Sequence, residues 1–382
     1  MVEQKTDFNK IIDDCTKNIK LIGKNINTYK SNKIYKNDKN YENTLNKNVG
    51  SFKLSTTELK KITAIAFNGK NNDGVFSGAI VYHFLKENNI DPKIIKTGQG
   101  NLSWISKEVK DEYVIFLDLT PNLNDLEKLE KICKGIIIID DHKATFNSNK
   151  LPKSVKHLSS NDGHSATALT WKVFYPKKKI PKNIKMIDLT DSSKYMQDYP
   201  YTNFFTSAIT FRITSNPRYT KAVWDSGKPF EEAWDVIENN NNAFWIIIGK
   251  YMSEVQENIK EQIAKNAQVI QFQGYKVGVL NFLDPVLTKR IGRQIWTNMH
   301  NKGINIDFVV MWGWEHANNV YRVNLNDDQK QNKINLGEMA TKLGKIGGTG
   351  KRGGGHQHIG NFYWPKKKGM DIWDLFNKNY LK

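Results

Sequence analysis

Three acidic clusters fall where a catalytic cation site would need them. Asp73 lies in Asn68-Gly69-Lys70-Asn71-Asn72-Asp73-Gly74, directly after the apolar run Ile62 to Phe67. Asp118 ends the apolar run Tyr113 to Leu117, and Asp140-Asp141-His142 follows Gly135 to Ile139. Carboxylates gathered in one place repel one another unless a cation neutralises them. Oxygen donors favour hard divalent ions, so Mg2+ or Mn2+ is the expected cofactor. A single Asp at a strand end has a simpler explanation, because Asp starts turns and caps helices. Three clusters at successive strand ends, one with a His beside it, favour a metal site. His142 then becomes the candidate to touch substrate or to protonate a leaving group. A lone His is more often structural, and its place beside two Asp raises the functional reading.

A second constellation is the run Gly347-Gly348-Thr349-Gly350-Lys351-Arg352-Gly353-Gly354-Gly355-His356. Glycine lets backbone N–H groups approach an anion closely and tolerates positive φ. Lys351 and Arg352 add positive charge, and His356 adds a side-chain donor. A flexible loop would also be rich in glycine, but three consecutive Gly followed by His favour phosphate binding. Lys351, Arg352, Gly353, Gly354, Gly355 and His356 are therefore candidate substrate-binding residues.

The elements that must position these residues can be read from periodicity. Strands are expected at Ile62 to Phe67, Lys93 to Lys96, Tyr113 to Leu117 and Gly135 to Ile139. Helices are expected at Gly78 to Leu85, Leu123 to Cys133, Ser165 to Phe174 and Pro181 to Leu189. Continuous apolar strands alternating with helices indicate an α/β fold with a parallel sheet covered on both faces. In such sheets ligands bind beyond the carboxyl ends of the strands. A helical stretch from about Phe230 to Ala267 follows. A second α/β unit then begins near Tyr275, with strands at Val277 to Phe282, Ile306 to Trp312 and Val320 to Leu325. Its helices span Val286 to about His300 and Leu336 to Leu343. The domain reading is a polar extension over 1–53, a metal-binding domain over 54–215, a helical connector over 216–270 and a smaller substrate-binding domain over 271–382, with a cleft between the two domains.

The order of these segments resembles the DHH phosphoesterase superfamily, with its DHH-associated C-terminal domain. Asp73-Gly74 is similar to that family's first acidic motif, Asp118 to its second, and Asp140-Asp141-His142 to the triplet that names it. His164-Ser165-Ala166-Thr167-Ala168 resembles the helix packed beneath the family's site. Ile187-Asp188-Leu189-Thr190-Asp191 resembles its fourth motif, with Asp191 as ligand and Asp188 as fallback. The resemblance covers roughly residues 60–365. It implies Asp73, Asp118, Asp140, Asp141 and Asp191 as metal ligands, and Asp118 with His142 as catalytic residues. It also implies the Gly-Gly-Gly-His turn as a substrate clamp. The pattern departs in two places. The family's His and Asp ahead of Asp73 are represented by Phe67 or Asn68, and by Asn71. The middle His of the triplet is Asp141. One metal site would then keep Asp73, Asp118, Asp141 and Asp191. The other would keep mainly Asp118, with Asn68 or Asn71 nearby. In the C-terminal domain the family's Ser-Leu-Arg strand reads Arg322-Val323-Asn324-Leu325-Asn326. Strand alternation puts Arg322 on one face with the two Asn, where it is a candidate to supply the missing cation.

The implied activity is metal-dependent cleavage of phosphodiester bonds in short or single-stranded nucleic acid or small nucleotides. Pyrophosphate or polyphosphate hydrolysis, and nucleic-acid binding without catalysis, stay open. A net charge of +18, from 57 Lys plus Arg against 39 Asp plus Glu, suits a polyanionic partner. The two cysteines, Cys15 and Cys133, show no ligand spacing, which fits a reducing, cytoplasmic setting. No apolar run approaches the roughly 20 residues of a membrane span. Phe8, Ile12, Cys15, Ile19, Ile22 and Ile26 form one helical stripe. It suits either a homodimeric coiled coil or packing on its own body. Residues 28–50, poor in apolar side chains, are expected to be a mobile linker.

Overall fold

The computed structural model describes residues 38–50, 52–98, 103–142, 151–152, 154–159, 163–191, 200–239, 242–282, 288–315, 319–327, 334–348, 353–356, 358–367 and 371–381. The stripe Phe8 to Ile26, and Lys351 and Arg352, lie outside them. The chain divides into two compact units between Ser253 and Glu254.

The first unit opens with α1 (Asp38–Val49) and the short α2 (Thr56–Leu59). It continues through β1 (Ala64–Asn68), α3 (Asn72–Glu87), β2 (Lys93–Thr97), a 3-10 turn at Ser103–Lys107 and β3 (Tyr113–Leu117). Next come α4 (Leu123–Glu130), β4 (Gly135–Asp140), β5 (Val155–Ser159), α5 (Ala166–Phe174) and α6 (Lys182–Asp191). After them stand α7 (Pro200–Ile209), a π-helical turn at Thr210–Thr214, α8 (Lys221–Asp225), α9 (Lys228–Glu238) and the first part of α10 (Asn242–Ala264), a helix that runs on past Ser253 into the second unit. The strands form one parallel sheet in the order β2-β1-β3-β4-β5. Alternate residues of β1 serve different faces. Ile65 and Phe67 join the core built on α3, α5 and α9, whereas Ala64 and Ala66 join the core closed by the 3-10 turn and α4. The chain reverses its direction across the sheet between β1 and β3. That is the switch point where doubly wound sheets open a crevice for ligands.

Two expectations for this unit need correction. The segment read as a linker over 28–50 contains α1, whose Leu45 is fully buried in the main core. One large apolar side chain with Tyr41 and Val49 beside it was enough to dock a helix whose remaining surface is polar. The stretch read as a connector over 216–270 also contributes to this core. Phe230 of α9 packs on Phe67 with ring centroids 4.9 Å apart, and Trp234 stacks on His83 at 3.6 Å.

The second unit holds β6 (Gln268–Phe272), β7 (Tyr275–Asn281), α11 (Thr288–Asn301), β8 (Phe308–Glu315), β9 (Val320–Asn326), α12 (Leu336–Gly347), β10 (Gly354–His356), β11 (Ile359–Pro365) and α13 (Ile372–Asn377). Its mixed sheet runs β10-β11-β9-β8-β7-β6. The glycine run is not a turn throughout. Gly354–His356 is a strand, paired antiparallel with β11. Gly348 caps α12 at φ 61°, whereas neither Gly353 nor Gly354 has positive φ. Gly353 is needed for close approach: a Cβ there would stand 1.9 Å from the Ala340 carbonyl oxygen on α12. Gly353→Ala is therefore expected to cost about 2–3 kcal/mol of stability. Gly354→Ala, which meets nothing within 4 Å, should stay near wild type in the same thermal melts.

Candidate metal centre

The strand ends bring the acidic residues of the first unit together. Asn68 is the last residue of β1, Asp118 follows β3, and Asp140 closes β4 with Asp141 and His142 next in the chain. Asp73 sits in the first turn of α3, and Asp191 is the last residue of α6. Two groups of possible ligands result: Asp73, Asp141 and Asp191 in one, and Asp118, Asp140, Asp141 and His142 in the other. In each, one ligand atom per residue lies within 4.8 Å of the rest. Asp141 is common to both. The expected set of Asp73, Asp118, Asp141 and Asp191 is thus divided differently, with Asp118 grouped toward Asp140 and His142.

Hydrogen bonding separates the two groups. Asp73 is buried, and its two carboxylate oxygens accept the N–H groups of Ala166 and Thr167 at 2.8 and 2.7 Å. An anion at the N-terminus of α5 is favoured by the exposed amides and by the helix dipole. Those bonds fix the carboxylate without supplying a full positive charge. The other group already holds positive and donor charge. His142 Nδ1 lies 2.8 Å from Asp140 Oδ1 and 3.3 Å from Asp118 Oδ1. Thr120 donates to Asp140 Oδ2 at 2.5 Å, so Asp140 is largely occupied in holding the imidazole. Asn68 Nδ2 donates to Asp118 Oδ2 at 2.9 Å, and the Asn71 side chain also hydrogen-bonds Asp118.

Asn68 and Asn71 stand beside Asp118, and their orientation is defined. Asn68 Oδ1 accepts the Lys70 N–H, and Asn71 Oδ1 accepts the Gly74 N–H as the cap of α3. With both carbonyl oxygens turned to backbone N–H groups, the amides present N–H, not oxygen, to Asp118. Asp188, the fallback ligand, is likewise committed: Ser165 N–H, His164 and Tyr41 surround its buried carboxylate.

Charge confirms the crowding. Asp141 is raised far above the usual carboxylate range, first by burial and then by Asp73, Asp191 and Asp118. Asp73 is raised by burial and by Asp118, and Asp191 by burial and by Asp73. His142 is held in its charged form by Asp118 and Asp140. Oδ1 of Asp141 is buried and accepts no hydrogen bond, and Oδ1 of Asp118 has only the 3.3 Å ion pair with His142 Nδ1. Buried carboxylate oxygens in that condition are costly unless a cation meets them, and an all-oxygen set suits a hard divalent ion. The residues therefore fit the implied metal, with Asp73, Asp141 and Asp191 as the better group. Asp118 also adopts φ 51°, a left-handed conformation that costs an L-residue about 1–2 kcal/mol. Its N–H bond to Ile139 O at 2.9 Å holds it there.

Sequence reading missed Thr120, the two amide donors and the α5 amides that grip Asp73. Thr120 had a local signal, since it stands two residues after Asp118. The α5 amides had the Ser165 cap. In the second unit Arg322 is half-buried on β9, Asn324 donates to Asn361 Oδ1 at 3.0 Å, and Gly353 to His356 follow α12.

These features define a parallel-sheet α/β domain with a carboxylate-lined site at its switch point, joined to a second α/β unit. No family model matches the sequence, and no curated protein matches it. Among solved structures, the chain is similar to the DHH domain of a member of a family of ribosomal proteins. The TM-score is 0.52 at 12% identity, covering 85% of this chain and 87% of that one. Weaker likenesses include a pGpG-specific phosphodiesterase, PggH, from Vibrio cholerae (TM-score 0.44, 13% identity, 82% and 95% covered). Another is RecJ in complex with Mg2+ from Thermus thermophilus (TM-score 0.39, 10% identity, 85% and 50% covered). The likeness is one of fold, to that of a DHH-domain protein. Among the described residues, no helix is long and apolar enough to cross a membrane.

Proposed function

We propose that the first unit is a metal-dependent phosphoesterase. Its substrates are phosphodiester bonds of short or single-stranded nucleic acid or of small nucleotides. The observation that carries this reading is the incompletely hydrogen-bonded carboxylate cluster around Asp141, with Asp73 buried, Asp141 half-buried and Asp191 exposed, at the switch point of a DHH-type sheet. Asp73, Asp141 and Asp191 would hold Mn2+ or Mg2+. Bound there, the cation supplies charge neutralisation and polarises a phosphoryl oxygen. The chain's own residues do the rest. Asp140 and Asp118 keep the His142 imidazole protonated and aimed, and its side chain is 47% exposed. It can therefore donate to a phosphoryl oxygen or protonate the leaving oxygen. Asn68 and Asn71 hold Asp118 with neutral donors where a second cation would otherwise stand. In the second unit, Arg322, Lys351, Arg352 and the segment Gly353 to His356 are the candidate phosphate holders, and the net positive charge favours polyanions.

The test is hydrolysis of a labelled panel with Mn2+ or Mg2+: oligonucleotides, linear and cyclic dinucleotides, and pyrophosphate. Cleavage of a phosphodiester member is expected, and Asp118→Ala should reduce it by about 10²–10³-fold, as losing a key electrostatic group does. Cleavage of pyrophosphate alone would move the substrate class to inorganic phosphates. Intact substrates with retained nucleic-acid binding would mark a non-catalytic binding protein.

A further inference from the structure

We propose that α1 is a positioning element of the acidic site, acting through Asp188 on the backbone that grips Asp73. The inference rests on the reading of Asp73, Asp141 and Asp191 as the cation site. Asp188 is 2% exposed and is shared by three segments. The Tyr41 hydroxyl of α1 donates to its Oδ2 at 2.5 Å. His164 Nδ1 lies 2.9 Å from the same oxygen. The N–H of Ser165 donates to Oδ1 at 2.5 Å. Ser165 is the N-cap of α5, and the next two N–H groups are those that hold Asp73. Thr167 Oγ1 also donates to the Asp73 carbonyl oxygen at 2.8 Å. A shift of the Ser165 turn would therefore move the Asp73 carboxylate. Asp191 stands three residues beyond Asp188 on α6, on the same helical face, so Asp188 also fixes where that second carboxylate points.

Helix α1 holds this carboxylate from outside. Tyr41 meets the His164 ring edge-on at 4.9 Å, and Thr44 Oγ1 lies 3.0 Å from His164 Nε2. The Lys185 ammonium sits 4.7 Å over the Tyr41 ring, and Leu45 anchors the helix in the core. A buried carboxylate that loses one of its donors must seek another. The cheapest response is rotation of Asp188, which drags the Ser165 turn with it. Positioning groups behind metal ligands typically set affinity by 10–100-fold.

The test uses the full chain and Mn2+ alone as the probe. Affinity is measured calorimetrically on folded protein, beside thermal melts of the metal-free form. Tyr41→Phe keeps the ring and removes the hydroxyl. It should weaken Mn2+ binding roughly tenfold. Thr44→Val should weaken it in the same direction, and Thr44→Ser should restore it. Should Tyr41→Phe fail to fold, the Thr44 pair carries the test by itself. Wild-type affinity in Tyr41→Phe and Thr44→Val, with lower melting temperatures, would make α1 a purely structural element and overturn the proposal. Failure of the wild-type chain to bind Mn2+ is a different result, and it would remove the cation reading together with this one.

Discussion

Asp141→Asn is expected to do two things at once: to abolish Mn2+ binding and to raise the melting temperature of the metal-free protein. Asp141 is shared by both ligand groups, so no alternative set of three carboxylates survives its loss. In the metal-free chain its ionised form is opposed by burial and by Asp73, Asp191 and Asp118. Its Oδ1 gains no hydrogen bond in return. Asp141 must take up a proton to fold at neutral pH, a cost that Asn avoids, so the variant should stabilise the metal-free fold by about 1–2 kcal/mol. With Mn2+ at a hundred times its dissociation constant, the wild type gains about 2.7 kcal/mol and the variant gains none. The order of the two melts should therefore reverse between chelator and Mn2+. A variant less stable than wild type under both conditions would show that Asp141 serves the fold, not a cation.

The parts of this site legible in the sequence were those set by strand periodicity. Apolar runs of five or six residues marked β1, β3 and β4, and those ending in Asp placed Asp118 and Asp140 to within a residue. The short polar strand β5, Val155–Ser159, carries Lys156 and His157 and gave no such signal. It is recognisable only as a partner for the far edge of β4. Helix α1 was invisible for a related reason. Its docking depends on Leu45 and on one hydroxyl reaching a carboxylate 147 residues away, and no local pattern encodes that. The grouping of the ligands was also out of reach. Asp118 could be assigned to either cation position until the amide directions of Asn68 and Asn71 were known. In the glycine run, glycine marks close backbone approach as readily as anion binding, and Gly353 against Ala340 is a close approach that the sequence did not distinguish.

Those two amides lead to the second large effect. Wild-type chain should bind one Mn2+ tightly, and the double variant Asn68→His, Asn71→Asp should bind two. Asn68 and Asn71 face Asp118 with N–H groups because their oxygens are held by Lys70 and Gly74. An imidazole nitrogen and a carboxylate in their places would turn two donors into two ligands beside Asp118 and Asp141. The cap of α3 would survive, since Asp serves as an N-cap about as well as Asn. Without metal the added carboxylate repels Asp118, so the double variant should melt below wild type. With Mn2+ that deficit should vanish, and hydrolysis should rise by at least about tenfold if both attacking and leaving oxygens gain a cation. Equilibrium dialysis with metal analysis gives the stoichiometry directly. Two tightly held ions on the wild-type chain would mean that the Asp118 group takes a cation despite His142 and the amides. In that case the amide donors would have to turn away from Asp118 when the ion arrives, breaking the bonds to Lys70 and Gly74 that hold them in the metal-free chain.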